Sequence, residues 1–289
     1  MSILVIGATG RLGPHIVRAL DDAGAPVTAL VRDRDKAAAV LPAGAHLVPG
    51  DFRAGGEQLD QLLSSVEELV LLTPHGPDMA AVQLALVDAA ARRGVRVVKI
   101  SGTGPLIGPD GPDACQQHWQ VETALQKASG RSVVVRPNAF MQGLVAGAIA
   151  EARATGAVAD PIGGAAINAV DCRDIAAVVA GVAGNQSYDG AVLSVTGPRP
   201  VTYPDLAVLI NAAGIPAAPA VGSPTQSADR VRALGMSEWE ARHLEEMLRR
   251  FADGAADFTT TTVAGVTGHP PRTVEDFVAH HLQVSAATG

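Results

Sequence analysis

The sequence predicts an α/β protein, a doubly wound parallel sheet followed by a smaller, mainly helical C-terminal lobe. Three observations predict it. Short β-branched runs alternate with longer alanine-rich stretches through the first half, the pattern of repeated βαβ units. The 289 residues are 47% hydrophobic, 18% charged and only 3% aromatic, so the core is built from Ala, Val, Leu and Ile, which suits strands buried on both faces. A glycine-rich turn separates the first apolar run from the first helical stretch.

In chain order, strands are expected at residues 3–6, 27–31, 46–49, 68–72, 96–100 and 132–135. Crossover helices are expected at 12–23, 59–64, 79–93 and 115–127. In the third of these helices Val82, Leu86 and Ala89/Ala90 recur at 3–4-residue spacing, and Arg92 and Arg93 precede Gly94, a normal helix stop. Beyond residue 150 the regularity weakens. Helices are expected at 139–154, 174–184, 203–213, 228–234, 237–252 and 274–283, with strand-like 167–170, 191–196 and 218–221. Pro and Gly cluster in 197–200 and 214–224, marking loops.

Composition also excludes partners. The net charge is −7 with no Lys- or Arg-rich run, so the electrostatic term behind nonspecific nucleic-acid binding is missing. Cys115 and Cys172 form neither a metal-ligand pattern nor a disulfide framework, and His280-His281 has no third ligand nearby, so no metal is expected. The chain opens on a strand-like run without a basic leader, and apolar stretches such as 175–182 fall far short of the roughly 20 residues of a membrane span. A cytoplasmic protein without a membrane partner is expected.

The turn Gly7-Ala8-Thr9-Gly10-Arg11-Leu12-Gly13 follows a strand and opens a helix. Tight turning and close backbone approach require residues without a Cβ, and the helix N-terminus offers free N–H groups to a pyrophosphate. A Rossmann dinucleotide site is expected here, the alternative being a glycine-rich βα turn that holds no ligand. Where NAD-binding versions carry an acid on the ribose 2′-hydroxyl, this chain places Arg32, a guanidinium suited to a 2′-phosphate. NADP(H) is therefore the expected cofactor. Arg11 and Lys36 would add positive charge, Lys36 more simply as a solvated side chain, and the neighbouring Asp33 argues the other way. Asp51 and Phe52, ending the third strand, reach the adenine amino group through the carboxylate and the following backbone, or Asp51 caps a helix. Thr73 and Pro74 end the fourth strand beside the cofactor path. The units would then be a dinucleotide-binding domain over residues 1–155 and a substrate lobe over 156–289, with 165–200 returning to the sheet.

Together with the turn and Leu30-Val31-Arg32-Asp33, the segments Val135-Arg136-Pro137-Asn138-Ala139-Phe140-Met141-Gln142 and Val170-Asp171-Cys172-Arg173-Asp174-Ile175-Ala176 resemble the NmrA-like branch of the atypical short-chain dehydrogenase/reductases. The resemblance spans residues 1–215. It implies NADP(H) on a Rossmann sheet and a C-terminal lobe closing a substrate cleft. Its members divide between reductases of quinones, dyes and other conjugated or carbonyl compounds and redox-sensing regulators without turnover. The resemblance also places the backbone of Pro137 and Asn138 at the nicotinamide carboxamide, with Phe140 and Met141 lining the substrate pocket or simply filling the core.

The superfamily's Tyr-x-x-x-Lys acid is missing, since Tyr188 and Tyr203 both lie far beyond the relevant helix. Matching Glu122 to the family glutamate puts His118 at the lysine position and Ala114 at the tyrosine position. His118 would anchor the ribose or donate a proton, or else be a partly exposed helix residue paired with Glu122 at i, i+4. Thr103, then Ser101, matches the Ser/Thr that hydrogen-bonds a substrate carbonyl, and Ser101 also stands near the cofactor. Lys99 points either into the cleft or outward. Asp171 and Asp174 read as structural carboxylates. The expected activity is NADPH-dependent reduction of a quinone or conjugated, aromatic ketone, a small-molecule substrate, with polyketide tailoring in antibiotic biosynthesis as one setting. An NADP(H)-sensing binding protein and a non-redox enzyme are the alternatives.

Overall fold

The computed structural model describes residues 1–128 and 131–287. The first half alternates as expected: β1 (Ile3–Ile6), α1 (Gly13–Asp22), β2 (Val27–Val31), α2 (Arg34–Ala38), β3 (His46–Pro49), α3 (Gly56–Ser64), β4 (Glu68–Leu71), α4 (Met79–Ala91), β5 (Arg96–Ile100), α5 (Asp113–Lys127) and β6 (Ser132–Pro137). Then come α6 (Met141–Thr155), β7 (Ala157–Asp160), α7 (Cys172–Val182), β8 (Val192–Val195), α8 (Tyr203–Ala212), β9 (Ala218–Val221), α9 (Pro224–Ala233), α10 (Glu238–Ala252), α11 (Thr262–Thr267) and α12 (Val274–Ala287). Seven strands form one sheet in the order β3-β2-β1-β4-β5-β6-β8, parallel throughout.

Successive strand residues point to opposite faces, and here both faces are covered. Ile3 and Val5 of β1 join the core under α1 and α7, while Leu4 and Ile6 join the core under α3, α4 and α5. The same alternation sends Val98 and Ile100 to the first face and Val97 to the second, so Lys99, two residues on from Val97, also faces α5. Arg136 follows Val134 onto that face by the same rule. A third core joins α6, α8, α10 and α12 into the C-terminal lobe, where β7 and β9 pair as a small parallel sheet.

Some expectations need correcting. Residues 167–170 are not a strand. The segment is buried, but its backbone bonds are shared among Val201, Ala256 and Ala139 instead of forming one ladder. Three short elements gave no sequence signal. α2 has five residues under an Asp33 cap, β7 follows the left-handed Gly156 that stops α6 and holds a single β-branched residue, and α11 has six residues. Most other boundaries move by a residue or two, as fraying ends do; the helix expected at 59–64 starts at Gly56, the one at 274–283 runs on to Ala287, and the one at 228–234 starts four residues earlier, where Ser223 caps the helix through the Gln226 N–H. Among the described residues no helix is long and apolar enough to cross a membrane.

At the amino-terminal rim, Arg96 on β5 pairs with Glu68 on β4 at 2.5 Å, the two side chains 3% and 0% exposed. Arg96 also bonds Asp189 and the carbonyls of Val182 and Asn185, tying the loop after α7 to the sheet. Removing one partner of such a pair leaves an uncompensated buried charge. Arg96→Ala is therefore expected to cost about 3–5 kcal/mol of unfolding free energy, read from the midpoint of denaturant unfolding.

Candidate active site

The glycine turn folds over the end of β1. Gly7 has φ +79°, and a Cβ there would lie 2.2 Å from the Leu72 carbonyl oxygen. A Cβ on Gly13 would meet the Gly7 oxygen at 2.2 Å. These two glycines are demanded by protein packing. Gly10 differs, because its Cβ position meets nothing nearer than 3.4 Å, so the space above it is left for something other than protein. Leu12 is buried and gives α1 no side-chain cap, leaving the first N–H groups of the helix free for an anion. Thr9 is exposed beside them.

Cations surround this cradle. The Arg11 guanidinium comes within 2.9 Å of where a Gly143 Cβ would stand, so the glycine lets it lie along the start of α6. Arg32 directly follows β2 and is exposed. Asp33 does not compete as a ribose acceptor, because its carboxylate caps α2 by accepting from the Lys36 N–H at 3.1 Å and pairs with Lys36 Nζ at 3.4 Å. Lys36 is thereby a solvated, paired side chain. Arg34 at the start of α2 was missed by the sequence reading, and among the described residues neither it nor Arg32 nor Arg11 forms an ion pair. Asp51 caps its own turn, accepting from Arg53 N–H at 2.9 Å. Phe52 is half-buried beside Arg53, which pairs with Asp78. The Thr73 hydroxyl accepts from Gln83 at 2.6 Å, and Pro74 stands exposed.

Past β5, the expected catalytic side chains meet as a buried cluster. Lys99 is fully buried, its Nζ 3.0 Å from His118 Nδ1 and bonded to the Ile100 carbonyl. His118 is 3% exposed and does not pair with Glu122, which overturns the picture of a partly exposed i, i+4 pair. Glu122 instead takes Ser101 Oγ at 2.5 Å and two Arg136 nitrogens. The single Ser101 hydroxyl hydrogen is thus committed to a carboxylate and is not available to a substrate carbonyl. Thr103 donates to Asn138 Oδ1 at 3.3 Å. Asn138 spends both amide hydrogens on the Asn168 and Ala256 carbonyls and its backbone N–H on Val195, so it clamps the lobe to the sheet and keeps no side-chain donor for a ligand. Met141 is wholly buried in the lobe core, a packing residue and not a pocket wall, whereas Phe140 is half-buried.

Two histidines were missed. His118 Nε2 lies 3.4 Å from Nε2 of His75, on the loop after β4, with the rings edge to face at 5.4 Å. His75 in turn meets His243 of α10 at 5.5 Å, and His243 stacks on Trp239 at 5.2 Å. Trp239, His243 and Met247 stand at i, i+4 and i+8, one face of α10, and that spacing was the available signal. The Trp239 indole donates to Asp113 at 2.6 Å, and Gln117 ties the loop of Gly76 and Ala80 to α5. Asp171 caps α7 and Asp174 binds Arg272, both structural. Among the described residues no His, Cys, Asp or Glu group could hold a metal ion.

Electrostatics separates the cluster. Burial, reinforced by Lys99, His75, His243 and Arg136, holds His118 well below the ordinary imidazole range, so it is neutral at physiological pH. The His75 side chain reaches the surface, yet the protein packed around its ring, with His243 and Lys99, lowers it too. Burial pushes Lys99 down to about 7 although Glu122 opposes the shift. Unfolded, Lys99 titrates near 10.5. Between pH 7 and 10 the unfolded chain therefore binds a proton that the folded chain releases, and stability gains a rising term with pH, at most ~1.4 kcal/mol per unit. Subtracting the unfolding free energy of Lys99→Met at each pH should isolate this slope, and equal pH dependence in both proteins would refute it.

Residues 1–213 match the NmrA-like family. The chain is 32% identical over 288 residues to the NAD(P)H azoreductase of Xenophilus azovorans, covering 99% of both chains. It is 30% identical over 298 residues to the (4-alkanoyl-5-oxo-2,5-dihydrofuran-3-yl)methyl phosphate reductase of Streptomyces griseus, covering 98% of this chain and 99% of the other. Its fold superposes on that of an Escherichia coli NADPH-dependent quinone oxidoreductase solved with NADPH, with a TM-score of 0.84, 22% identity and 97% and 99% of the two chains covered. With its glycine turn, interlocked motif segments and sheet order all in place, the chain belongs to the NmrA-like family.

Proposed function

We propose that this chain is an NADPH-dependent reductase of conjugated acceptors, azo compounds and quinones foremost, working without a tyrosine acid. The observation that carries this is the space left open above Gly10 at an uncapped helix N-terminus, flanked by Arg11, Arg32 and Arg34, none of them in an ion pair among the described residues. When bound, the cofactor supplies a hydride to an electrophilic centre. The protein does the rest. Backbone groups of residues 7–13 hold the pyrophosphate, and Arg32 and Arg34 meet the 2′-phosphate. Asp51 and Phe52 flank the adenine, and Thr73 and Pro74 line the path toward the reacting end.

Conjugation follows from what the site lacks. Ala114, 1% exposed, stands where the superfamily has its tyrosine, and Ser101 and Thr103 are committed within the protein. Such a site suits an acceptor whose own π system spreads incoming charge, so that positioning carries much of the rate. An azo bond, an unsaturated lactone with acyl and oxo groups and a quinone, the acceptors in the relatives' names, share this property. Trp239, His243 and His75 offer aromatic surface for a flat acceptor. Quinone or ketone tailoring of an aromatic polyketide is a narrower form of the same reading. Cys115 and Cys172 are free and buried, in keeping with a reducing cytoplasm.

Mixing the purified chain with NADPH and a panel of azo dyes, quinones and aromatic ketones tests the activity through loss of the reduced-nicotinamide absorbance. Tight binding without consumption for any acceptor would favour a dinucleotide sensor instead. Arg32→Asp should weaken NADPH by at least about tenfold more than NADH, since a charge-assisted bond contributes roughly 1.5–3 kcal/mol; equal weakening of both refutes the 2′-phosphate contact. Gly10→Ala should weaken NADPH while leaving the free chain's unfolding within about 0.5 kcal/mol. Gly13→Ala, forced against backbone, should destabilise the free chain by about 1–3 kcal/mol, and unfolding measured without ligand separates the two.

A further inference from the structure

We propose that Lys99, His118 and His75 form a proton line running from the buried face of the sheet to the exposed His75, delivering the proton that completes reduction of a neutral acceptor. The proposal rests on the reductase reading and supplies what the missing tyrosine leaves unassigned. Its geometry is continuous: Lys99 Nζ to His118 Nδ1 at 3.0 Å, then His118 Nε2 to His75 Nε2 at 3.4 Å. Lys99 can only donate when charged, which fixes His118 as the tautomer with its hydrogen on Nε2. That hydrogen points to His75 Nε2, so His75 carries its own hydrogen on Nδ1. His75 Nδ1 is the one ring nitrogen of the line without a protein partner among the described residues, and His75 is the one member of the line that is exposed.

The alignment is enforced from every side. α5 places His118 over Lys99, and Gly102, whose Cβ would lie 3.4 Å from the His118 ring, leaves the imidazole its room. Gln117 pins the loop that carries His75. His243 meets the His75 ring edge to face and is itself held by stacking on Trp239, so both act as positioning residues. The charged groups facing the line are Glu122 on α5, drawn off by Ser101 and Arg136, and Arg136 on β6. Because burial keeps His118 neutral and brings Lys99 to about 7, the transferable charge resides on the lysine.

The proton count balances. When an azo acceptor takes a hydride on one nitrogen, the π pair of the N=N bond localises on the other. That nitrogen takes the hydrogen from His75 Nδ1, His75 Nε2 takes the hydrogen from His118 Nε2, and His118 Nδ1 takes one from Lys99. The product is a hydrazine, and the lysine is left neutral. Water reprotonates Lys99 through the same line in reverse, which restores both tautomers. A cationic triarylmethane acceptor differs, because hydride addition alone gives its neutral product and no proton is needed.

That contrast provides the test. Wild type, His75→Phe and Lys99→Met are compared with NADPH and either an azo dye or a cationic triarylmethane dye, and the ratio of the two rates is the readout. General acid catalysis contributes about 10²–10⁴-fold, so both variants should lower the azo-to-triarylmethane ratio by about 10²-fold. His75→Phe keeps a ring at an exposed position and guards against a folding defect in Lys99→Met. Nitrogen-15 NMR of the free chain gives a readout independent of turnover. His118 Nδ1 should titrate with a midpoint near 7, and the transition should vanish in Lys99→Met. A ratio unchanged within about twofold, or azo and triarylmethane rates that fall in proportion, overturns the proton line, as does a His118 signal indifferent to Lys99→Met. If wild type reduces neither dye, the reductase reading falls, and the NMR titration then decides the line by itself.

Discussion

The structure depends on burial of one parallel sheet on both faces. With helices on either side, a strand residue is surrounded by protein whichever way it points, and an unpaired charge there is costly. The buried charged groups on the central strands therefore stand toward the two rims, each against a polar partner. At the amino-terminal rim Arg96 and Glu68 neutralise each other and fasten a loop. At the carboxyl-terminal rim Arg136 is matched by Glu122, but Lys99 is matched by an imidazole, which cannot neutralise it. One rim is electrostatically closed, and the other retains an ammonium with a path outward.

The same rim gathers the ligand chemistry. Loops leaving the carboxyl ends of parallel strands form the crevice of an open α/β sheet, and here they carry the glycine turn, Arg32, Asp51, Thr73, His75, Ser101 and Thr103. The segments that mark the family interlock behind it. Gln142 bonds both Asp171 and the Cys172 N–H, and Phe140 bridges Val170. Their role in this fold is to join lobe to sheet.

Local patterns were legible in the sequence. Strand alternation, helical spacing and the Gly7-Gly10-Gly13 turn each depend on residues close in the chain, and the sheet followed from them. The identity of Arg32 was legible too, but the reason Asp33 does not oppose it lies in a five-residue helix too short to leave a periodic signal. What escaped was long-range. His75, His118 and His243 are separated by 43 and 125 positions and meet only through tertiary packing. Ser101 looked like a free hydroxyl because nothing local announces that Glu122, a full turn beyond His118, swings to Arg136 and takes its hydrogen. Lys99 could not be oriented until the strand's alternation was anchored to α5.

The helix that bears Trp239 and His243 has a consequence for access. α10 buries only Ala241, Leu248 and Phe251, and it leans on the α5 side through the Trp239–Asp113 bond, the Arg250 contact to the Asp110 carbonyl and a Cys115–Met247 sulfur contact. Water can replace most of these bonds, whereas His75 and His118 stand on the loop after β4 and on α5, packed against the sheet. Regions with few buried apolar contacts open at a small fraction of the global unfolding free energy. The face of α10 that carries Trp239 and His243 is thus held to the α5 side by polar and sulfur contacts, while Leu248 and Phe251 anchor the same helix in the lobe core, so local loosening there would part that aromatic face from His75 and His118 without disturbing the sheet.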